Sequence, residues 1–278
     1  MKTAELTERI RLPEEARRLA GKEQISRQEY DIWREKFDRD IRQFMRDWKE
    51  LENRYVWALE FYLKLAADTY GEYQKRGYPD EVFDATFYDL TIWCRECYRK
   101  HGVYGLAELE WLGQSVRLEL FRLGRLQFEP IVTKKDMRGK ENTLPAGTKA
   151  LKVHIPEGES LAPEVCQASF EQAEEFFKGE YEAYVCESWL LSLHLKEILP
   201  ETSNIIRFQD LFEATGTKYS FPQAEERIFG EVLEDKRQYP EATSLQRKAK
   251  EYLLSRGDLG IGEGFFYSRE RTGMDVRK

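Results

Sequence analysis

Cysteine is scarce in this chain: Cys94, Cys97, Cys166 and Cys186 are the four thiols in 278 residues. Four widely spread thiols in a chain of this size do not suggest a disulfide framework. Cys94 and Cys97 form a C-x-x-C, but no second pair accompanies them to complete a zinc site, so no metal is expected. Long apolar runs are missing as well. No stretch approaches the ~20 residues that a bilayer span needs. Met1-Lys2-Thr3-Ala4-Glu5 leads into charged residues without the apolar core of a signal peptide. The expectation is a soluble, cytoplasmic protein with no membrane partner. A basic stripe is the third absence. The net charge is −7, and the densest basic stretch, Lys134, Lys135, Arg138 and Lys140, is interrupted by Asp136 and followed by Glu141. A nucleic-acid partner is therefore not expected, and the stretch reads as a mobile, solvated loop. Neither an internal repeat nor a low-complexity tract is present.

Apolar residues make up 41% and charged residues 34% of the chain, a globular balance with a wet surface. Aromatic residues reach 13%, and each brings a large area to a core. The first half reads as helix. Ser26 and Glu29 have capping-box spacing, after which Tyr30, Trp33, Phe37, Ile41, Phe44, Trp48 and Leu51 recur at steps of three and four over about seven turns. A second helix spans Tyr55 to Gln74 and ends at Gly77. Pro79 opens a third, with Cys94 and Cys97 on its apolar stripe. A fourth runs from Leu106 to about Leu118.

Near residue 120 the period changes. Residues 124–129 alternate as a strand closed by Pro130, and Ala150 to Ile155 is a second strand with Lys152 and His154 on one face. Pro163 starts a helix to about Phe177. Tyr184 to Leu190 and Asn204 to Ala214 read as strands on either side of a short helix. Two helices, from Pro222 and Ser244, precede a last extended segment, Leu259 to Tyr267. The expected division is a helical domain at 1–118 and an α/β domain at 119–278, of α+β class, with helices packed on a mixed sheet.

Several pieces carry a resemblance. Leu123-Gly124-Arg125-Leu126-Gln127-Phe128-Glu129, His154-Ile155-Pro156, Cys186-Glu187-Ser188-Trp189-Leu190-Leu191 and Ser203-Asn204-Ile205 with Phe208 resemble a bacterial family of acyltransferase-domain proteins. Arg76-Gly77-Tyr78-Pro79-Asp80-Glu81-Val82, with Thr86 and Asp89, is similar to that family's N-terminal domain. The resemblance implies an all-helical N-terminal domain and a GNAT-like C-terminal domain. It also implies transfer of an acyl group from an acyl-CoA donor to an amine on a small molecule or protein. A non-catalytic binding or regulatory protein on the same scaffold is the alternative. GNAT enzymes usually hold CoA pyrophosphate on an Arg/Gln-x-x-Gly-x-Gly/Ala loop before a helix. The comparable passage, residues 153–160, has one glycine and two carboxylates, Glu157 and Glu159, so the phosphates require another contact.

Acyl transfer to an amine needs a base and groups that orient the substrate. Alternation places Arg125, Gln127 and Glu129 on one strand face: Glu129 as base with Arg125 or Gln127 orienting substrate, or an Arg125–Glu129 structural ion pair. His154 is either the acid or base or the residue that fixes the turn at Pro156. Cys186 and Ser188 share a face of the third strand, where they contact substrate, form a Cys–His or Ser–His nucleophile pair with His154 if the two strands are neighbours, or, for Cys186, serve as a buried hydrophobe.

Overall fold

The computed structural model describes residues 1–22 and 24–268. The chain divides into two compact units, residues 1–123 and 124–278.

The first unit is helical: α1 (Thr3–Arg9), α2 (Glu14–Ala20), α3 (Arg27–Arg39), α4 (Ile41–Lys49), α5 (Arg54–Arg76), α6 (Asp80–His101) and α7 (Leu109–Val116), ending in a short strand, β1 (Phe121–Leu123). The seven-turn stripe expected from residue 26 onward is two helices. Asp40 leaves the helical region at φ −149°, ψ 89°, and its side chain caps α4 by accepting from the Gln43 N–H. Breaking there folds the stripe back on itself, so that Phe37 and Phe44 meet edge to face at 5.5 Å. Ser26 caps α3 as the spacing predicts, while Glu29 turns away to the Trp57 indole N–H at 3.3 Å. Trp33, Phe37, Phe44, Trp57, Phe61 and Tyr62 form the aromatic core of this unit. Such pairs contribute roughly 0.5–1.5 kcal/mol each beyond the area they bury. Gly77 and Gly102 end α5 and α6 at φ +68° and +70°, a conformation that costs glycine little. Burial lifts the Cys94 and Cys97 thiols to about 12 and about 11, as befits core residues.

The second unit is built on a mixed sheet. Its strands are β2 (Leu126–Val132), β5 (Lys149–His154), β6 (Ala183–Ser188), β8 (Ile261–Tyr267) and β7 (Glu213–Lys218), in that spatial order. Only β5 and β6 are parallel neighbours, joined by the crossover helix α8 (Pro163–Phe176); the pairs β2/β5, β6/β8 and β8/β7 are antiparallel. Register assigns side chains to two faces. Phe128, Val153, Leu151, Tyr184, Cys186 and Phe266 face α8, whose Phe170 meets Phe128 and Tyr184 edge to face. Gln127, Glu129, Lys152, His154, Glu187 and Glu263 project from the opposite face.

Three expectations are corrected. The segment expected to be a fourth strand, 204–214, is a helix, α10 (Asn204–Gln209), followed by β7. Ser203 caps it by accepting from the Ile205 N–H, and Ile206 and Phe208 are both buried. The strand from Tyr184 stops at Ser188, where residues 189–191 turn into a 3₁₀ helix preceding the short α9 (Leu195–Ile198). Gly262 permits this turn: a Cβ there would lie 1.9 Å from the Leu191 carbonyl oxygen. The basic stretch is a hairpin rather than a loop, with the side chains of Lys134, Lys135, Arg138 and Lys140 exposed. Its strands are β3 (Met137–Arg138) and β4 (Thr143–Leu144), and Met137 and Leu144 cover Ala150, Ala183, Val185 and Phe265. Glu213 fastens its turn, accepting from Asn142 N at 2.8 Å, from Asn142 Nδ2 at 2.9 Å and from the Glu141 N–H. The helices α11 (Gln223–Phe229) and α12 (Ser244–Arg256) complete the unit, with Ala224, Ile228, Phe229, Ala249, Tyr252 and Leu253 in their own apolar cluster.

Candidate active site

Glu129 and His154 stand 25 residues apart in sequence and meet across β2 and β5. In the antiparallel register Gln127 opposes His154 and Glu129 opposes Lys152, so the two side chains are diagonal neighbours on one face. His154 Nε2 lies 2.8 Å from Glu129 Oε2, with the side chains 18% and 27% exposed. This contact holds the Glu129 carboxyl below the usual carboxylate range, with a smaller contribution from Lys152. A hydrogen bond to a carboxylate fixes the orientation of the ring.

The position of the pair follows from the strands. Parallel pairing of β5 with β6 ends at Val153↔Cys186, while β6 continues to Ser188 alongside β8. Beyond that point β5 leaves the sheet toward α8. The pair therefore sits at the carboxyl ends of two parallel strands, the place where α/β sheets commonly present ligands.

On the α8 side at the same end lies a cavity of about 280 Å³. Leu161, Pro163 and Cys166 line it from the start of α8, and Phe208, Leu211 and Arg207 from α10 and the residues after it. The loop leading into α8 is held by Arg125. Arg125 is 3% exposed; its Nε donates to the carbonyls of Glu159 and Ser160 at 3.1 and 3.0 Å, and its NH2 group donates to the Glu159 carbonyl at 2.8 Å. Ser169 of α8 accepts from the Arg125 and Leu126 N–H groups, and Asn204 Nδ2 reaches Ser160 Oγ at 3.3 Å. Loop, α8 and α10 are thus bracketed together around the cavity. The start of α8 itself offers few free donors. Pro163 has no N–H, and those of Val165 and Cys166 are taken by the Ala162 carbonyl.

The other expected site residues are placed differently. Arg125 does not belong to the strand face of Glu129, because Gly124 at φ +64° makes a turn and β2 begins only at Leu126. Gln127 does share that face and is 1% exposed. Cys186 is 1% exposed on the α8 face, opposite to His154, and burial raises its thiol to about 12. A Cys186–His154 nucleophile pair is therefore not formed, and Cys186 is a core residue. Ser188 is also buried, with its Oγ accepting from the Leu190 N–H, which makes it a turn residue. Arg207 and Asn204 were not foreseen; reading 204–214 as a strand hid them, although Ser203 before Asn204 is a capping signal.

Among the described residues, no group of three or more His, Cys, Asp or Glu side chains is arranged to hold a metal, and no helix is long and apolar enough to cross a membrane. No curated protein matches the chain significantly. Solved structures do. An acyltransferase in complex with decanoyl-CoA and teicoplanin is 23% identical with a TM-score of 0.75, over 95% of this chain and 86% of that one. An acyltransferase mutant in complex with octanoyl-CoA is also 23% identical, with a TM-score of 0.74 over the same shares. An acyltransferase in complex with decanoyl-CoA alone is 21% identical, with a TM-score of 0.75 over 94% of this chain and 86% of that one. At these identities the likeness shows a shared fold. Residues 1–118 match the model of the N-acyltransferase N-terminal domain, and residues 120–266 match that of the GNAT-like C-terminal domain. By that match over more than half its length, the chain belongs to the family of GNAT-like C-terminal domain proteins, joined here to an N-acyltransferase N-terminal domain.

Proposed function

We propose that this protein is an N-acyltransferase that moves an acyl group from an acyl-CoA thioester to an amine, with His154 as the base and Glu129 as the residue that orients and supports it. The observation that carries this reading is the 2.8 Å Glu129–His154 contact at the end of the β5/β6 pairing, with a largely apolar cavity on the other face at the same end. The cavity is suited to the CoA arm, and Arg207 at its edge supplies the cation that the glycine-poor loop lacks. Glu157 and Glu159 are exposed at the loop surface, where solvent screens their charge. The resemblance to acyltransferases that bind decanoyl-CoA and octanoyl-CoA supports the donor class.

In the reaction, the neutral His154 ring acts as the base, with Glu129 orienting it. It accepts a proton as the amine nitrogen attacks the thioester carbonyl carbon. The tetrahedral intermediate collapses with cleavage of the C–S bond. The imidazolium returns its proton to the leaving thiolate, which yields the amide and free CoA. Protonic catalysis of this kind contributes typically 10²–10⁴-fold.

Release of CoA thiol from decanoyl-CoA in the presence of primary amines tests the reading, with donor binding followed by calorimetry. His154→Ala is expected to lower kcat by about 10²–10⁴-fold while donor affinity is retained. Full turnover by His154→Ala, or no binding of any acyl-CoA by the wild type, would refute it. A non-catalytic ligand-binding or regulatory protein on the same scaffold is the second reading. The few free N–H groups at the start of α8 favour it, and it predicts no amine-dependent thiol release from any acyl-CoA.

A further inference from the structure

Lys152 is the antiparallel partner of Glu129. It also stands two residues before His154 on the same strand and the same face, about 7 Å along β5. Its side chain is half-buried, yet its ammonium makes no hydrogen bond or ion pair among the described residues. On its other side β6 presents Val185, which is 6% exposed and offers no partner. The remaining charges on that face of the second unit are matched. Lys218 of β7 contacts Glu187 of β6, Lys135 reaches Glu263 of β8 at 3.0 Å, and Glu213 of β7 holds the hairpin turn. A half-buried ammonium that gives up hydration without a contact is a cost to the fold. Its field falls on Glu129, whose carboxyl it helps to keep ionised.

For a base this placement matters. A carboxylate bonded to an imidazole does two things. It fixes the ring, and it favours the charged form, which has no lone pair left to take a proton. A base needs the first and is weakened by the second. A cation opposite the carboxylate separates the two effects. Glu129 and Lys152 together carry no net charge, so the ring keeps its hydrogen bond but meets a neutral pair instead of an anion. Placing a second positive charge near Lys152 also costs Coulomb energy.

We propose that Lys152 is a positioning residue for the base: its ammonium balances the Glu129 carboxylate, so that the carboxylate orients the His154 ring without holding it as the imidazolium. This rests on the acyl-transfer reading above. Lys152 acts through Glu129 and His154 and needs no contact with either substrate.

The test follows the ring itself, by NMR of protein carrying 15N-labelled histidine, in the wild type, Lys152→Met and Lys152→Arg. The His154 signals are those absent from His154→Ala. In Lys152→Met the ring is expected to take up its proton at a pH higher by about half a unit or more, the scale of one partly screened charge roughly 7–10 Å away. Lys152→Arg keeps the charge and is expected to titrate as the wild type does. Turnover from decanoyl-CoA should follow. The ratio of Lys152→Met to wild-type kcat/KM, in which protonation of the amine cancels, should be near one at about pH 9 and fall about threefold toward pH 6, which is that half unit read as a rate. An unchanged titration in Lys152→Met would overturn the proposal. So would an equal shift in Lys152→Arg, which would mark a change of packing instead of charge. These titrations need no substrate. A wild type that releases no thiol with any amine would remove the acyl-transfer reading, and the catalytic sense of the coupling with it, even where the ring titrates as expected.

Discussion

Replacing Arg125 with Met keeps most of the side-chain volume and deletes the guanidinium donors that hold the loop before α8. Those lost include three contacts from Nε and the NH2 group to the carbonyls of Glu159 and Ser160. Hydrogen bonds from a charged donor contribute roughly 1.5–3 kcal/mol each. These three converge on two carbonyls from one guanidinium, so they do not add. The residues bearing the carbonyls are exposed, and water can take up part of the loss. The expected cost to unfolding free energy is therefore about 1.5–3 kcal/mol, read as a shift of the urea midpoint at unchanged slope. The functional effect should be larger on the donor than on chemistry, since the loop borders the cavity while the Glu129–His154 pair lies on the other face. Acyl-CoA affinity should fall about tenfold or more, with kcat at saturating donor changed by less than about threefold. Arg125→Lys, a point charge without the fork, should recover only part of the affinity. Stability within ~0.5 kcal/mol of wild type together with unaltered donor affinity would refute the claim that Arg125 builds the donor loop.

The remaining predictions concern titration and reactivity. The Glu129 carboxyl is held below its usual value, so its contribution to stability is present above the unfolded-state pKa and is lost as pH falls through the lower folded-state value. Glu129→Gln cannot ionise; it should unfold more readily than wild type near pH 7, and the gap should close toward pH 3, followed by urea titrations at several pH values. A gap independent of pH would mean that packing, not charge, carries the difference. Cys94 and Cys186, raised to about 12 by burial, stay protonated at pH 8, so a disulfide reagent should modify them only after denaturant is added. Rapid labelling of either in the native protein would contradict the packing described for it.

The Glu129–His154 pair shows how far the sequence reaches. Both residues stand out from alternation alone, one on each strand. That they touch depends on the register of β2 against β5, and a slip of one residue would turn one of them to the opposite face. Arg125 shows the reverse case. Alternation placed it with Glu129, but the turn at Gly124 lies at the start of that run, and the side chain is claimed by a loop 34 residues away.

Local chemistry alone determined the helical character of the first half, the caps at Ser26, Gly77 and Gly102, the α8 start at Pro163 and the strand that carries Lys152 and His154. Each is written in periodicity or in a backbone preference that a few neighbouring residues satisfy. The tertiary structure decided the break of α3 from α4, the helix at Asn204–Gln209, the anchored hairpin at 137–144 and the burial of Cys186 away from His154. These turn on contacts between residues far apart in sequence, such as Glu213 with Asn142, whose net free energy outweighs the weak local propensities of short segments.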